Sequence, residues 1–486
     1  IEVTGVELND GRVKGVKTAL GIEFTCDAVV ITSGTFLNGV IHIGEKQFGG
    51  GRTGESAAKG MTVTLQPSTS ALDEVIVTGV ASATSKKKMT VSVTRVGEER
   101  LSAVPAVSAA GALVGKVAGA RVSMGSGSPG AGVDILLRGD NNLGIGSSPL
   151  ILVDGVILDG SLADINVDDI EAMEVVRGAA ASALYGSRAA NGVILITTKT
   201  GKNSKPVIRY SGNQSLAQPI KFYENITNYP RTIQLQMRGA LAGNRATPYS
   251  WSTVEEWMAK GMLDPILYPN TDWYDLIFQN GMAKNHNISA AGSSDKMAFY
   301  LSGGFTDQSG TVINNTFKRY NFRTSIDYDI KKNIKVGTKL DANFSEFNYG
   351  LEDGIAGDAL RNTNPGVTPI DPVTGRYGAA MAYGENTQAA NLLAQYSIDH
   401  NEELSKRING VFYSSWEPIK GLVARIDYGI NYTNRFSRSY SDPTSIYNLQ
   451  TGGLVSILVG DNAGISNSNN DDYKTNLQLR LNYEKD

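Results

Sequence analysis

The chain has 486 residues, a formal net charge of −3, 54 glycines, 3 histidines and a single cysteine. At about 150 residues per domain the length accommodates roughly three domains. One cysteine excludes a disulfide framework and, with so few histidines, a zinc-ligand set; the balanced charge excludes the basic footprint of a nucleic-acid binder. No apolar run approaches the ~18 residues of a membrane-spanning helix, which leaves a barrel open, because barrel strands hide their hydrophobicity by alternation. The 21 tyrosines against 13 phenylalanines and the glycine content point the same way. The chain starts at Ile1 with no basic and then apolar leader, so a removed signal or a fragment is expected.

Residues 1–61 read as α/β material. Apolar residues on either side of Asn9-Asp10-Gly11 predict two strands, 1–8 and 12–18, around a tight turn. Residues 28–32 (AVVIT) predict a buried strand delivering Ser33-Gly34-Thr35 to a ligand. Gly49-Gly50-Gly51-Arg52 offers backbone N–H groups and a cation, the elements of a phosphate loop, although a flexible turn is the simpler reading. Cys26 has no histidine near it in sequence and reads as a small buried hydrophobe. The stretch 29–60, VVITSGTFLNGVIHIGEKQFGGGRTGESAAKG, resembles a segment of the MnmG/GidA family, FAD-dependent enzymes that modify the tRNA wobble uridine. The resemblance implies FAD only within a complete flavoprotein. The family's amino-terminal G-x-G-x-x-G and catalytic cysteines are not in this slice, so an inactive α/β fragment is expected.

Residues 62–71 read as a linker or the end of an upstream domain. The segment 72–79, LDEVIVTG, is acidic and then β-branched, suited to adding as a strand to a partner's sheet edge. Lys86-Lys87-Lys88 reads as solvated linker. Further on, the spacing predicts a helix over 104–117 with Gly119 as its stop, and strands over 135–139 and 150–155, the second closing in an Asp154-Gly155 turn. Asp168-Asp169 is expected to cap a helical turn before 173–176, an Ala-rich helix is expected over 179–185 ending at Gly186, and 193–198 (VILITT) is a strand. No catalytic constellation stands out. The run 111–116 is one residue short of a Walker A loop, and Asp154, Asp159 and Asp164 lack the EF-hand glycine and glutamate and read as solvated loop carboxylates.

In order and spacing, LDEVIVTG (72–79), GALVGKVAGARV (111–122), DILLRG (134–139), PLILVDGV (149–156) and the run 169–202 resemble the plug domain of SusC/RagA-family TonB-dependent transporters. The resemblance implies that Asp73, Glu74, Val75, Ile76 and Val77 lie in or near the segment that TonB engages. It implies that Arg138, Gly139, Asp154, Gly155, Tyr185, Gly186, Asn191 and Gly192 sit in the folded plug. It also implies TonB with ExbB and ExbD as partners, a SusD-like lipoprotein, an oligosaccharide or peptide substrate, and the outer membrane of a Bacteroidetes-type bacterium.

Residues 204–486 alternate with period two. Tyr320, Phe322, Thr324, Ile326, Tyr328 and Ile330 are interleaved with Asn321, Arg323, Ser325, Asp327 and Asp329, and similar rows occupy 334–345, 422–432 and 473–484. Apolar positions are expected to face lipid and polar ones the lumen, with Tyr320, Tyr432 and Tyr483 in an interfacial girdle. Long polar segments such as 346–406 read as external loops. His286 is expected at a strand end and His400 in a loop, both structural, while Trp251, Trp257 and Trp273 anchor loops. The fold class is thus mixed. A short α/β flavoprotein-like fragment (1–61) and a linker (62–71) precede a small α+β plug (72–203) and an incomplete antiparallel transmembrane β-barrel (204–486). The strands in view fall short of the ~22 of a plugged transporter, so this polypeptide alone is not expected to insert or transport. The function expected is import of glycan or peptide nutrients with the plug gating the barrel, not enzyme catalysis. The alternative, an FAD-dependent tRNA-modifying enzyme, rests on the first fragment alone. Because the two activities share no compartment, a chimeric join near residues 60–62 is expected.

Overall fold

The structure is a computed structural model. It describes residues 3–9, 12–18, 22–25, 40–43, 46–49, 75–76 and 84–85, and most of 93–483; the longer stretches outside it are 26–39, 50–74, 77–83, 86–92, 103–108, 138–147, 177–185, 220–224, 350–362, 380–390 and 459–463. The chain divides into two compact units, Ile1–Glu74 and Val75–Asp486.

In the first unit, β1 (Val3–Asn9), β2 (Arg12–Thr18) and β3 (Glu23–Thr25) form an antiparallel sheet, and β4 (Val40–Ile43) pairs with β5 (Lys46–Gly49). Asn9 pairs with Arg12, so the two strands meet where the Asn-Asp-Gly run anticipates; residues 10 and 11 themselves lie outside the described residues. Arg52, Cys26 and the strand expected over 28–32 lie outside the described residues. Among the described residues this unit holds hairpins only, with no parallel strand that ends in a dinucleotide loop.

The second unit opens with β6 (Val75–Ile76) paired to β7 (Thr84–Ser85). A small domain follows, built from β8 (Val93–Gly97), β9 (Arg121–Met124), β10 (Val133–Leu136), β11 (Leu150–Val153), β12 (Val156–Ile157), β13 (Ile170–Val176) and β14 (Val193–Thr198). Five of these form a mixed sheet in the order β12-β11-β14-β13-β8, with β11 and β14 parallel. The apolar run of β14 is buried on both faces. Ile194 and Ile196 join Met173, Val175 and Leu113 on one side, and Val193 and Leu195 join Leu152 and Val93 on the other.

Two expectations need correcting here. The helical turn expected before 173–176 is present as the 3-10 turn Val167–Asp169 ahead of strand β13, but its cap is Asn166, whose side chain accepts from Asp168 N, rather than Asp168-Asp169. The described part of 104–117 is turn with a 3-10 segment, Gly111–Leu113, rather than continuous helix, because Gly115 and Gly119 both take positive φ. The helix expected over 179–185 lies outside the described residues; Gly186, its expected stop, has φ +71°.

The remainder is an eight-stranded antiparallel sheet made of β15 (Val207–Ala217), β16 (Gly281–Ser293), β17 (Met297–Ser309), β18 (Thr316–Lys331), β19 (Ile334–Tyr349), β21 (Asp399–Ile419), β22 (Leu422–Ser441) and β25 (Ile465–Tyr483). The short strands β20 (Tyr377–Gly378), β23 (Thr444–Asn448) and β24 (Gly453–Leu458) lie in its connections. Short turns at 294–296, 332–333 and 420–421 close one end, and the long connections 218–280, 350–398 and 442–464 leave from the other. The alternation reads true, and its sign is the reverse of a soluble sheet. On β18, Phe322 is 54% exposed and Tyr320 53%, while Arg323 is 3% exposed and Ser325 0%. A sheet that exposes its aromatic face and buries its charges suits a hydrocarbon exterior and a polar interior.

Residues 346–406 are not one loop, since strands run to Tyr349 and from Asp399. His286 lies within β16, where its Nδ1 meets the Tyr210 hydroxyl at 2.7 Å, and His400 lies in β21 stacked on Tyr440. In the connections, Trp257 and Trp273 are buried and donate to the carbonyls of Pro269 and Asn364, whereas Trp251 is exposed.

Candidate functional site

The site is the seam between the small domain and the polar face of the sheet. Its centre is the β11–β12 hairpin. Val153 pairs with Val156 across Asp154 (φ +53°) and Gly155 (φ +87°), so the tip is a two-residue turn with left-handed backbone at both positions. That geometry pushes the Asp154 carboxylate out of the small domain. It accepts from the backbone N of Thr198 at 3.1 Å and from the Thr198 hydroxyl at 2.6 Å. It also meets Arg323 of β18 at 3.0 Å and Lys339 of β19 at 2.8 Å. Arg323 in turn donates to the Thr198 hydroxyl oxygen and faces Asp341 at 3.6 Å. Beside the tip, Gln478 of β25 donates to the Gly155 carbonyl at 3.2 Å.

A second row runs along the same seam. The Tyr300 hydroxyl donates to Asp169 at 2.8 Å, and Asn343 donates to the Asp164 carbonyl at 2.7 Å. Arg319 donates to the Ala163 carbonyl, Arg407 pairs with the Asp164 carboxylate, and Asn166 donates to the Asn287 side chain at 3.2 Å. Asp154 and Asp164 are therefore not solvated loop carboxylates. The polar parity of the sheet delivers cations to them, Arg323 and Lys339 to Asp154 and Arg407 to Asp164; Asp159 lies outside the described residues. Taking such charges out of water costs several kcal/mol apiece, so the network fixes the position of the small domain more than it adds net stability.

Protonation follows the same balance. Burial alone would raise the Asp154 carboxyl, but the charges of Lys339 and Arg323, with hydrogen bonds from Lys339 and Thr198, outweigh it and hold it at about 2. For Asp169 burial wins, and its carboxyl sits above the ordinary range although Arg323, Ser302 and Tyr300 oppose the shift. Along this seam a cavity of about 40 Å³ remains between Val156, Leu158 and Ile165 and the wall residues Leu340, Asn409 and Asn431. It is too small for anything beyond water.

Of the motif residues singled out in the sequence, Asp154 and Gly155 meet the sheet directly. Gly192 acts within the small domain. Its φ is +97°, its carbonyl accepts from Leu150 N at 2.9 Å, and a Cβ there would fall 2.7 Å from Leu137 Cδ1. That turn starts β14 beside β11. Asn191 precedes it, and Gly186 comes just before the 3-10 turn Ser187–Ala189. Arg138, Gly139, Tyr185, Asp73, Glu74 and Val77 lie outside the described residues, and Val75 and Ile76 are described only as strand β6. Sequence reading missed Arg323, Lys339, Asp341, Thr198 and Asp169 as site residues. The available signal was the ionisable residues in strands that otherwise read as membrane-spanning, where a charge marks a functional position.

A small mixed domain held by buried ion pairs on the polar face of a lipid-type antiparallel sheet is similar to one class of protein, the plugged TonB-dependent outer-membrane receptors. The TonB-dependent Receptor Plug Domain family matches residues 85–193. Within that class the likeness is to SusC/RagA-type receptors. A TonB-dependent receptor of Formosa agariphila is 32% identical over 409 residues, 82% of this chain and 38% of its own length. The receptor SusC of Bacteroides thetaiotaomicron is 35% identical over 269 residues, 54% of this chain and 25% of its own length. The RagAB peptide importer in its open-open state superposes with a TM-score of 0.59 at 26% identity, covering 75% of this chain and 43% of that one. The chain thus spans about two fifths of the length of such receptors. Receptors of this kind reside in the outer membrane, and the inverted polarity of the sheet fits a hydrocarbon exterior.

The beginning of the chain is similar to something else. The Glucose inhibited division protein A family matches residues 1–110, and the tRNA uridine 5-carboxymethylaminomethyl modification enzyme MnmG of Flavobacterium johnsoniae is 60% identical over 63 residues, 10% of that enzyme. The two family matches overlap over 85–110. Within that overlap β8 hydrogen-bonds to β13, so residues 93–97 belong to the sheet of the small domain. The polypeptide joins a short MnmG-like segment to a SusC-like plug and barrel wall.

Proposed function

We propose that residues 72–486 belong to an active transporter of the outer membrane that imports glycan or peptide nutrients, with residues 72–203 acting as a plug that gates the barrel. TonB with ExbB and ExbD supplies the energy through the segment Asp73, Glu74, Val75, Ile76 and Val77, and a SusD-like lipoprotein covers the outer mouth. Neither part of the chain is a catalyst, and no cofactor is required. The observation that supports this reading is the Asp154 hairpin, whose carboxylate spans Arg323 and Lys339 on two neighbouring wall strands. A plug so held closes this wall until force or ligand displaces it.

The test is uptake of labelled oligosaccharides and oligopeptides by cells producing the full-length protein, with TonB present or deleted. Uptake that needs TonB, and that disappears when residues 73–77 are removed, is expected. Uptake indifferent to both changes refutes the proposal. A purified protein carrying a flavin absorbance band would instead return weight to the first fragment.

A further inference from the structure

The polar wall changes chemistry beyond its contacts with the plug. On β19 the inward positions run Asn343, Ser345, Phe347 and Tyr349, each step rising about 6.7 Å. Asn343 still touches the plug, through the Asp164 carbonyl. Phe347 pairs across the ladder with Phe317 of β18, their ring centroids 4.6 Å apart. Phe347 and Tyr349 are stacked at 5.7 Å with 9° between their planes. The plug reaches the base of this strip. Gly130 donates its N–H to Gln308 at 2.9 Å, and a Cβ on it would lie 2.5 Å from Phe317 and 2.7 Å from Phe347. Phe317 is accordingly 4% exposed, whereas Tyr349 emerges at 39%.

Across the next ladder Glu403 lies opposite Phe347 and Asn401 opposite Tyr349. Glu403 pairs with Arg435 of β22 at 3.1 Å. The strip therefore starts beneath the plug's Gly130 loop and ends as an open aromatic face beside a carboxylate, a guanidinium and an amide. Packing against the plug accounts for Phe317 and Phe347. It does not account for an exposed ring aligned with them and flanked by planar polar groups.

Such a face is complementary to the C–H surface of a pyranose, while carboxylate and guanidinium forks match its hydroxyls. A peptide main chain would instead be read by a free strand edge. Here β19 is paired on both sides to its end, Thr316 with Asn348 and Asn401 with Tyr349. We infer that Phe347, Tyr349 and the Glu403–Arg435 pair form a lumenal subsite for an uncharged sugar ring of a glycan, standing just outside the seated plug. This inference rests on the transporter reading and narrows its substrate class.

The experiment uses the full-length receptor in outer-membrane vesicles. The probes are neutral gluco-, manno-, xylo- and galacto-oligosaccharides and a mixture of uncharged hexapeptides. Tyr349→Ala is expected to weaken binding of the preferred oligosaccharide about tenfold, Tyr349→Phe to stay within about twofold, and Glu403→Gln to weaken it severalfold. Heat-modifiable migration of each variant confirms a folded barrel. Oligosaccharide affinity unchanged in folded Tyr349→Ala overturns the inference, and so does a receptor that binds and imports only the hexapeptides. Both results leave TonB-dependent transport standing. Loss of all TonB-dependent uptake in the unmutated receptor overturns the transporter reading and the subsite with it.

Discussion

Replacing Asp154 by asparagine keeps the shape of the hairpin tip and removes the charge that Lys339 and Arg323 surround. Arg323 retains Asp341 at 3.6 Å, whereas Lys339 loses its partner at 2.8 Å while only 15% exposed. Holding the carboxyl at about 2, against an ordinary 3.8, corresponds to about 2 kcal/mol in favour of the ionised form. Breaking one side of a buried pair costs ~3–5 kcal/mol when the other charge stays buried. Asp154→Asn is therefore expected to loosen plug seating by about 3 kcal/mol, roughly a hundredfold rise in the opened population. Hydrogen exchange at the amides of Val193–Thr198 reads this directly, because Thr198 N donates to Asp154 and the strand lies inside the plug sheet. Adding Lys339→Met removes the stranded cation and should recover about half of the loss. Unchanged protection in Asp154→Asn, or a double variant as loose as the single one, refutes the reasoning.

Three further outcomes follow from the same geometry. The folded-state value of Asp154 lies below its unfolded one, so its contribution is complete above about pH 4 and is lost as pH falls through about 2. Asp169, raised by burial, acts in the opposite sense, its protonation favouring the folded form as pH falls, so protease resistance of the plug should persist at pH 4 and collapse only near pH 2; collapse at pH 5 would contradict this. Gly192→Ala meets both a positive φ and Leu137, whereas Gly186→Ala meets only a positive φ, so the first should lower urea stability by about 1–3 kcal/mol and by more than the second; the reverse order would be inconsistent with the packing described. Phe322→Lys places a charge on the exposed face of β18 and should cost ~2–4 kcal/mol of barrel stability, seen as loss of heat-modifiable migration; a variant that migrates as before would argue against a lipid-facing position.

The barrel wall was legible because alternation survives wherever both faces are chemically uniform, as in β18, β19, β22 and β25. It fades in β21, where Gly410 and Ser414 occupy positions on the same face as Phe412 and Trp416, and in β16, where His286 lies on the same face as Ile288. For His286 the partner is Tyr210 on the neighbouring strand, and a pattern within one strand does not register partners on the next. The Asp154-Gly155 turn was legible from local chemistry, since both residues tolerate left-handed backbone. Its role at the seam was not, because Arg323 and Lys339 stand far along the chain and only strand parity turns them inward. The same limit made Asp164 look solvated, because its partner Arg407 also stands far along the chain.

The central claim is that one face of this sheet meets lipid and the other encloses the plug. Adjacent positions on β18 test it most directly. In a Cys26→Ser background, Phe322→Cys and Asn321→Cys are each spin-labelled in the full-length protein in lipid vesicles. The label at 322 should collide with oxygen dissolved in the bilayer and be shielded from an aqueous nickel complex, and the label at 321 should be immobilised and shielded from both. A label at 322 that collides with the aqueous nickel complex, or oxygen collision that is equal at the two positions, would contradict the account and return the sheet to the class of soluble β proteins.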